Sequence, residues 1–420
     1  MGNLDYTQVL NKIENTRRFG NEPGVVVTAQ VIKVLREKGK QKRIIPYIHV
    51  AGTNGKGSVC AFFSSILKKE HMRVGTFVSP HLVDFEERIT VDGRMIPKED
   101  VTRLGNYLLD IDFGIGLTMF DYCLAMALLY FEEQQCDYMV IETGLGGRLD
   151  STNAIGTPQC AIITKIGYDH MAILGSDIAD IAAEKAGIIK ENGTVVVEQQ
   201  DKRAMQVIEQ EAQKKHARII TVEQSDIARC SGYALRLCGT FQWENAAAAE
   251  LAARYVLGKH YSGPEYDKTG PKSEKTDLNK RIKSALEEAL WPGRMEIVSK
   301  DPFLLVDGAH NSNGVDALKE SLMQMYPGEK FCFFMGVMAD KDYDVMIREI
   351  LPLAEEFYTV TPDSDRALQA SHLADFIRKE GVEATELSGV DEIRKHLKRD
   401  TKNVAFGSLY FIGELKQHRI

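Results

Sequence analysis

The sequence predicts an α/β protein in two unequal parts, and three observations carry that prediction. Apolar runs of strand length alternate with amphipathic helical patterns along nearly the whole chain. The alternation breaks once, at Lys259–Arg281, where Leu278 is the only aliphatic residue. It resumes after Trp291-Pro292-Gly293. Strands that alternate with helices of roughly 10–18 residues build parallel sheets covered by helices. A length of 420 residues suits two or three domains. The boundary is placed near Trp291–Met295, giving an N-terminal domain of residues 1–293 and a smaller one of residues 294–420.

In chain order, Ile44–Ala51, Val74–Ser79, Asp137–Glu142, Cys160–Ile166 and Thr194–Glu198 read as strands of the first part. Ser58–Glu70, Thr118–Gln135 and Asp177–Lys190 carry apolar residues at helical spacing between them. The hydrophilic segment Lys259–Arg281 reads as a surface loop. In the second part the strands are Phe303–Val306, Phe331–Met335, Glu356–Val360 and Asn403–Phe406. The helical patterns there are Val315–Met325, Arg366–Glu380 and Val390–Lys398.

Composition removes several functional classes. Lys plus Arg total 52 against 60 Asp plus Glu, a net charge of −8. This argues against a general surface for nucleic acid or anionic membrane, while leaving room for a local basic pocket. No apolar stretch approaches the roughly 18 residues of a membrane span. The first twenty residues are polar and show no signal peptide. Seven cysteines are scattered without CxxC spacing, as expected of reduced thiols in a cytoplasmic protein.

The strongest local signal is His49-Val50-Ala51-Gly52-Thr53-Asn54-Gly55-Lys56-Gly57-Ser58. An apolar strand runs into a glycine-rich turn that opens a helix at Ser58. Glycines let backbone N–H groups approach phosphate oxygens, the helix start adds partial positive charge, and Lys56 can reach terminal phosphates. The strict G-x-x-x-x-G-K-[ST] order is broken, because Gly57 separates Lys56 from Ser58. Glu142 ends the apolar strand Asp137–Glu142, at the sheet edge where ligands of open parallel sheets bind. There it can offer Mg²⁺ a hard oxygen. His170, beyond a third strand, reads either as a structural histidine or as a ligand of the same metal. Lys185 lies on an otherwise apolar helix; burial there would lower its pKa and permit reaction with CO₂. In the second part Asp307-Gly308-Ala309-His310-Asn311 forms a plausible polar site after an apolar strand. Arg294 stands just past the inferred hinge.

Taken in order, these segments resemble the folylpolyglutamate synthase/dihydrofolate synthase family of the Mur-ligase superfamily. The matching blocks are HVAGTNGKGS (49–58), FVSPHL (77–82), VIETGLGGRLDSTN (140–153), DH (169–170) and EKAGI (184–188). They continue with Gln242 and Asn245, PGRME (292–296), DGAHN (307–311), DKD (340–342) and GSLYFIGE (407–414). The resemblance implies a P-loop-type nucleotide-binding domain followed by a smaller Rossmann-like one, with the active site between them. It assigns Asn54, Gly55, Lys56, Gly57 and Ser58 to ATP, with Asn245, Arg294 and Asp307. Ser79, Glu142 and His170 look like Mg²⁺ ligands, and Lys185 like the lysine that the family carbamylates. Thr118, Phe120 and Asp121, together with Leu149, Asp150 and Ser151, are expected against the pterin. His310 lies where the family positions the incoming glutamate.

The implied reaction is ATP-dependent ligation of L-glutamate to a reduced folate, or to dihydropteroate, through an acyl phosphate, by a monomer. Three departures concern fine contacts: Ser312 stands where the family usually has Pro, Asp121 where Glu is commoner, and Phe241 where it has His. The rival readings are a peptidoglycan-precursor Mur ligase and a nucleotide-binding protein without ligase activity. Against the first, no separate domain for a sugar nucleotide precedes the phosphate loop.

Overall fold

The computed structural model describes residues 3–16, 20–260 and 272–420. Two compact units emerge. The first comprises residues 1–234 and 244–289, and the second 235–243 and 290–420. The division thus falls four residues before the 293/294 boundary expected from sequence. It also assigns Leu235–Trp243, which the sequence reading kept in the first domain, to the second unit.

The first unit is built on an eight-stranded sheet. Its strands are β1 (Tyr47–Ala51), β2 (Val74–Phe77), β3 (Ile89–Val91), β4 (Arg94–Met95), β5 (Tyr138–Glu142), β6 (Cys160–Ile163), β7 (Thr194–Val197) and β8 (Arg218–Thr221). The spatial order is β4-β3-β2-β5-β1-β6-β7-β8, in which β3 alone runs opposite to the others. β1 sits between β5 and β6, with Val50 opposite both Glu142 and Ile162. Every residue of β1 is buried, as expected of a central parallel strand covered on both faces. Helices supply two apolar layers. One gathers Val31, Leu104, Leu124 and Phe131 around Phe77 and Ile141. The other gathers Ile181, Ala186 and Ile208 around Ala51 and Ile163.

The second unit carries a six-stranded sheet made of β9 (Glu296–Lys300), β10 (Phe303–Val306), β11 (Phe331–Met335), β12 (Ala354–Thr359), β13 (Ala384–Glu386) and β14 (Lys402–Phe406). Its order is β13-β12-β11-β14-β10-β9, with only β9 antiparallel. Phe333 anchors the core, its ring 5.2 Å from Phe357 and 5.6 Å from Phe406.

Two expectations are corrected. Lys259–Arg281 is not a loop at its ends. One helix runs through its start as Phe241–His260, and another, Lys272–Glu288, takes over its last ten residues. Residues 261–271 lie outside the described residues. Polarity misled here because Lys and Glu are good helix formers on an exposed face. Among the described residues of that helix, Ile282, Ala285 and Leu286 are fully buried. Ion pairs Lys69–Glu288 and Arg281–Glu70 clamp it to the helix Lys56–Lys69. The helical pattern at Val390–Lys398 is likewise only a 3₁₀ turn, Val390–Glu392, and one α-turn, Ile393–His396.

Phe333→Ala should cost about 3–5 kcal/mol, because it removes a fully buried ring that touches two neighbouring strands. Urea denaturation followed by near-ultraviolet circular dichroism will read the loss as a lowered midpoint. An unchanged midpoint would show that this aromatic cluster is not what holds the second unit.

Candidate functional site

The chain leaves β1 at Ala51 and turns through Gly52-Thr53-Asn54-Gly55 into the helix Lys56–Lys69. The helix opens at Lys56, two residues earlier than expected, because Gly55 takes the N-cap position in the left-handed region at φ 89°. A side chain at Gly55 would overlap Oδ1 of Asn245, a buried residue of the helix Phe241–His260. The loop is held from one side. Thr53 and Asn54 both donate their N–H to the Lys165 carbonyl, at 2.9 and 3.3 Å. Thr164 Oγ1 donates to the Asn54 carbonyl at 2.6 Å. Lys165 is itself fixed, since its N–H donates to Glu198 Oε2 at 2.8 Å. Burial, with the charge of Glu244, pushes the Glu198 carboxyl well above its usual range. At the other end of the loop, the first helical turn presents N–H groups that a helix cannot use internally. Those groups and the helix dipole suit an anion.

Two lysines meet at this turn. Lys56 Nζ donates to the carbonyls of Gly52 and Thr53, at 3.1 and 3.3 Å. Lys185 Nζ reaches the same Gly52 carbonyl at 2.9 Å from the helix Ile178–Ala186. Lys185 is 4% exposed. Burial first, and the Lys56 charge second, lower its pKa to about 7. Glu142, at the end of β5 and 5% exposed, lies 3.9 Å from Lys56 and accepts the Ser79 N–H at 3.2 Å. Among the described residues no three His, Cys, Asp or Glu side chains form a ready metal cage. Ser79 and Glu142 meet through the Ser79 N–H, and His170 lies 3.9 Å from Asp169 on the exposed start of a short helix. A carboxylate and a hydroxyl at the edge of a phosphate-type loop are the hard oxygen donors that Mg²⁺ takes, with water and phosphate completing its shell.

A second polar group surrounds the loop after β5. Thr118 caps the helix Met119–Glu133, and Asp121 completes the capping box by accepting from the Thr118 N–H and hydroxyl at 2.9 and 2.6 Å. Its other oxygen accepts from Ser151 Oγ at 2.6 Å. Both oxygens of Asp121 are therefore engaged in shaping the loop. Phe120 packs edge-on against Phe77 at 5.5 Å, and Leu149 is 41% exposed. Asp150 is buried, which raises its pKa, and it accepts the Leu145 N–H at 2.8 Å. Sequence reasoning missed the helix Gly24–Glu37 beside this loop. There Val25 N–H donates to the Leu149 carbonyl at 3.1 Å. An open groove of about 670 Å³ lies against that helix, lined by Val25, Val26, Ala29, Gln30, Lys33, Gly114 and Ile115. The one signal in sequence was Val25-Val26-Val27, where three successive valines cannot all face a core.

In the second unit, Asp307 follows β10 and accepts N–H donors from Met295 and Ala309, each at 2.8 Å. Burial raises its pKa, against the opposing effect of Arg294. A side chain at Gly308 would overlap Leu409 first and then the Arg294 guanidinium, which lies over it. His310 Nδ1 donates to the Gly308 carbonyl at 2.7 Å. All seven cysteines are free, and none but Cys238 is even partly exposed.

The Mur ligase middle domain matches residues 50–253, and the Mur ligase glutamate ligase domain matches residues 293–406. The chain is 33% identical to the dihydrofolate synthase/folylpolyglutamate synthase of Bacillus subtilis, across 98% of both chains. Its fold is similar to that of the Mycobacterium tuberculosis folylpolyglutamate synthase complexed with ADP and AMPPCP. That likeness has a TM-score of 0.84 at 25% identity, over 99% of this chain and 98% of the other. It is similar too to E. coli FolC in complex with DHPP and ADP, with a TM-score of 0.81 at 26% identity, over 99% and 97%.

Gly55→Ala should destabilise the protein by about 1–3 kcal/mol, from left-handed strain and overlap with Asn245. Gly55→Ala combined with Asn245→Ala is expected to relieve the overlap but not the strain. Urea midpoints of the two variants separate these contributions, and equal stability of Gly55→Ala and the parent would disprove the close approach.

Proposed function

Because the chain belongs to the dihydrofolate synthase/folylpolyglutamate synthase family of Mur ligases, we propose that it joins the amine of L-glutamate to a folate carboxylate, driven by ATP. One observation carries the reading in this chain's own residues: Lys56 and Lys185 converge on the Gly52 carbonyl beside Glu142, at a helix start whose N–H groups suit an anion. A free carboxylate is a poor electrophile. Attack of its oxygen on the γ-phosphorus of ATP releases ADP and yields an acyl phosphate. The glutamate amine then attacks the acyl carbon, phosphate leaves, and an amide remains.

Each group has a part in this scheme. Asn54, Gly55, Lys56, Gly57 and Ser58 cradle the phosphates, and Lys56 neutralises the charge that builds on the group in transfer. Ser79 and Glu142, with His170, would hold Mg²⁺, which when bound supplies further positive charge to the phosphate oxygens. Lys185, half unprotonated near pH 7, would add CO₂ and release a proton to become a carbamate. A cation beside Lys56 thereby becomes an anion, which suits a magnesium site. Phe120 and Leu149 offer apolar faces to a flat pterin, and Asp150 accepts its N–H groups, while Thr118, Asp121 and Ser151 hold those residues in place. Asn245, Arg294 and Asp307 serve the nucleotide, and His310 serves the incoming glutamate. A reduced folate is the principal acceptor and dihydropteroate a second one. The enzyme would act as a cytoplasmic monomer.

The deciding experiment is ADP release with glutamate present, comparing tetrahydrofolate with dihydropteroate. Turnover that needs neither acceptor nor glutamate would refute the ligase reading. Lys56→Ala should lower turnover at least roughly a hundredfold, as removal of one such charge contact commonly does, with unfolding unchanged. Retention of a tenth of the activity would contradict its role.

Carbamate on Lys185 should grow as pH rises through about 7 and fall steadily below it, because only the unprotonated amine reacts. ¹³C NMR in labelled bicarbonate, with Lys185→Arg as the blank, measures it. A spectrum at pH 8 without a Lys185-dependent carbamate signal would end the idea.

A further inference from the structure

We propose that His49 and Thr152 are positioning residues for the acceptor, acting through Asp150 by a hydrogen-bonded relay that starts in the middle of the central strand. The inference deepens the proposed function and rests on its placement of Asp150 against the acceptor.

His49 has no solvent exposure and stands at the centre of β1. Its Nε2 lies 2.7 Å from Thr152 Oγ1. The Thr152 hydroxyl donates to Asp150 Oδ1 at 2.5 Å, and the Thr152 N–H donates to the same oxygen at 3.0 Å. The other oxygen, Oδ2, takes the Leu145 N–H. Thr152 has a single hydroxyl proton, so its direction fixes everything upstream. With that proton on Asp150, the histidine must donate from Nε2 to the threonine oxygen. Nδ1 is then the bare nitrogen, and it has no hydrogen-bond partner among the described residues. Imidazolium would need two acceptors in a place that supplies one. Burial first, and the Lys190 charge second, accordingly lower the His49 pKa to about 3.

The ring therefore stays neutral and serves as a one-proton donor that turns the Thr152 hydroxyl toward Asp150. This has a directional effect that a bulky apolar residue at position 49 could not reproduce. The carboxylate of Asp150 accepts from the Thr152 hydroxyl and N–H and from the Leu145 N–H, and so holds the turn Gly144–Asp150 in register. One strand thus delivers the phosphate loop from its end and the acceptor loop from its side.

Steady-state kinetics of the full chain, with ATP, glutamate and tetrahydrofolate varied in turn, tests the relay. Thr152→Val and His49→Leu should raise KM for tetrahydrofolate roughly tenfold, the effect of one hydrogen bond to a charged group, and leave KM for ATP within about twofold. Thr152→Ser and His49→Gln keep a donor at the same place and should restore near-parental values. Asp150→Asn separates the two levels of the argument. If it leaves KM for tetrahydrofolate unchanged, the placement of Asp150 at the acceptor is wrong. If it raises that KM while Thr152→Val does not, the placement stands and the relay is refuted. Equal rises in both KM values for Thr152→Val and Thr152→Ser would reduce Thr152 to a structural role. Should His49→Leu fail to fold, the valine and serine variants at position 152 decide alone.

Discussion

The carbonyl oxygen of Gly52 accepts from the Nζ atoms of Lys56 and Lys185, and this crowding of two cations against one oxygen organises the site. Glu142 is the carboxylate nearest to Lys56, at 3.9 Å, and it also accepts the Ser79 N–H. Burial disfavours the charged form of Lys185 first, and the nearby Lys56 charge adds to it, so the Lys185 ammonium loses its proton more easily. Lys185 is the more deeply buried of the pair and takes the shift. The loop can hold Lys56 in this position only because its backbone is anchored elsewhere, on Lys165 and Thr164 beyond β6.

That anchoring has a hierarchy. Glu198 fixes Lys165, Lys165 fixes Thr53 and Asn54, and these set the direction in which Gly55 turns into the helix. The chemistry is carried by loops, while the precision comes from parallel strands buried on both faces. β1, β5 and β6 are adjacent in the sheet, which is why groups from residues 52, 142 and 164 meet though they are distant in sequence.

Much of this was legible beforehand, for definite reasons. The five apolar runs of the first part became β1, β2, β5, β6 and β7, because a central parallel strand must be apolar on both faces. Strand ends were less legible. The run Cys160–Ile166 looks continuous, yet β6 stops at Ile163, since Thr164 and Lys165 turn out to hold the phosphate loop. Short or half-exposed strands such as β4 and β8 leave almost no pattern to read. The membership of the site was visible as motifs, but its wiring was not. Nothing in the sequence tells that Lys185 reaches an oxygen 133 residues away, or that Asp121 and Ser151 spend themselves on each other. His49 read as one more residue of an apolar strand, and only its partner Thr152 gives it a direction.

The excursion of Leu235–Trp243 into the second unit carries a consequence for how the chain is made. Synthesis runs from the N-terminus, and domains fold as they emerge. Residues 1–234 and 244–289 can condense once the first unit is complete, but the nine residues between them belong with sequence not yet translated. Leu237 is buried in the finished protein, Phe241 packs in the second unit's core, and the Thr240 N–H waits for Ser321 Oγ. Until about residue 321 has left the ribosome, this stretch is an apolar strap with nothing to bind. These nine residues thus find their partners only when the second unit folds.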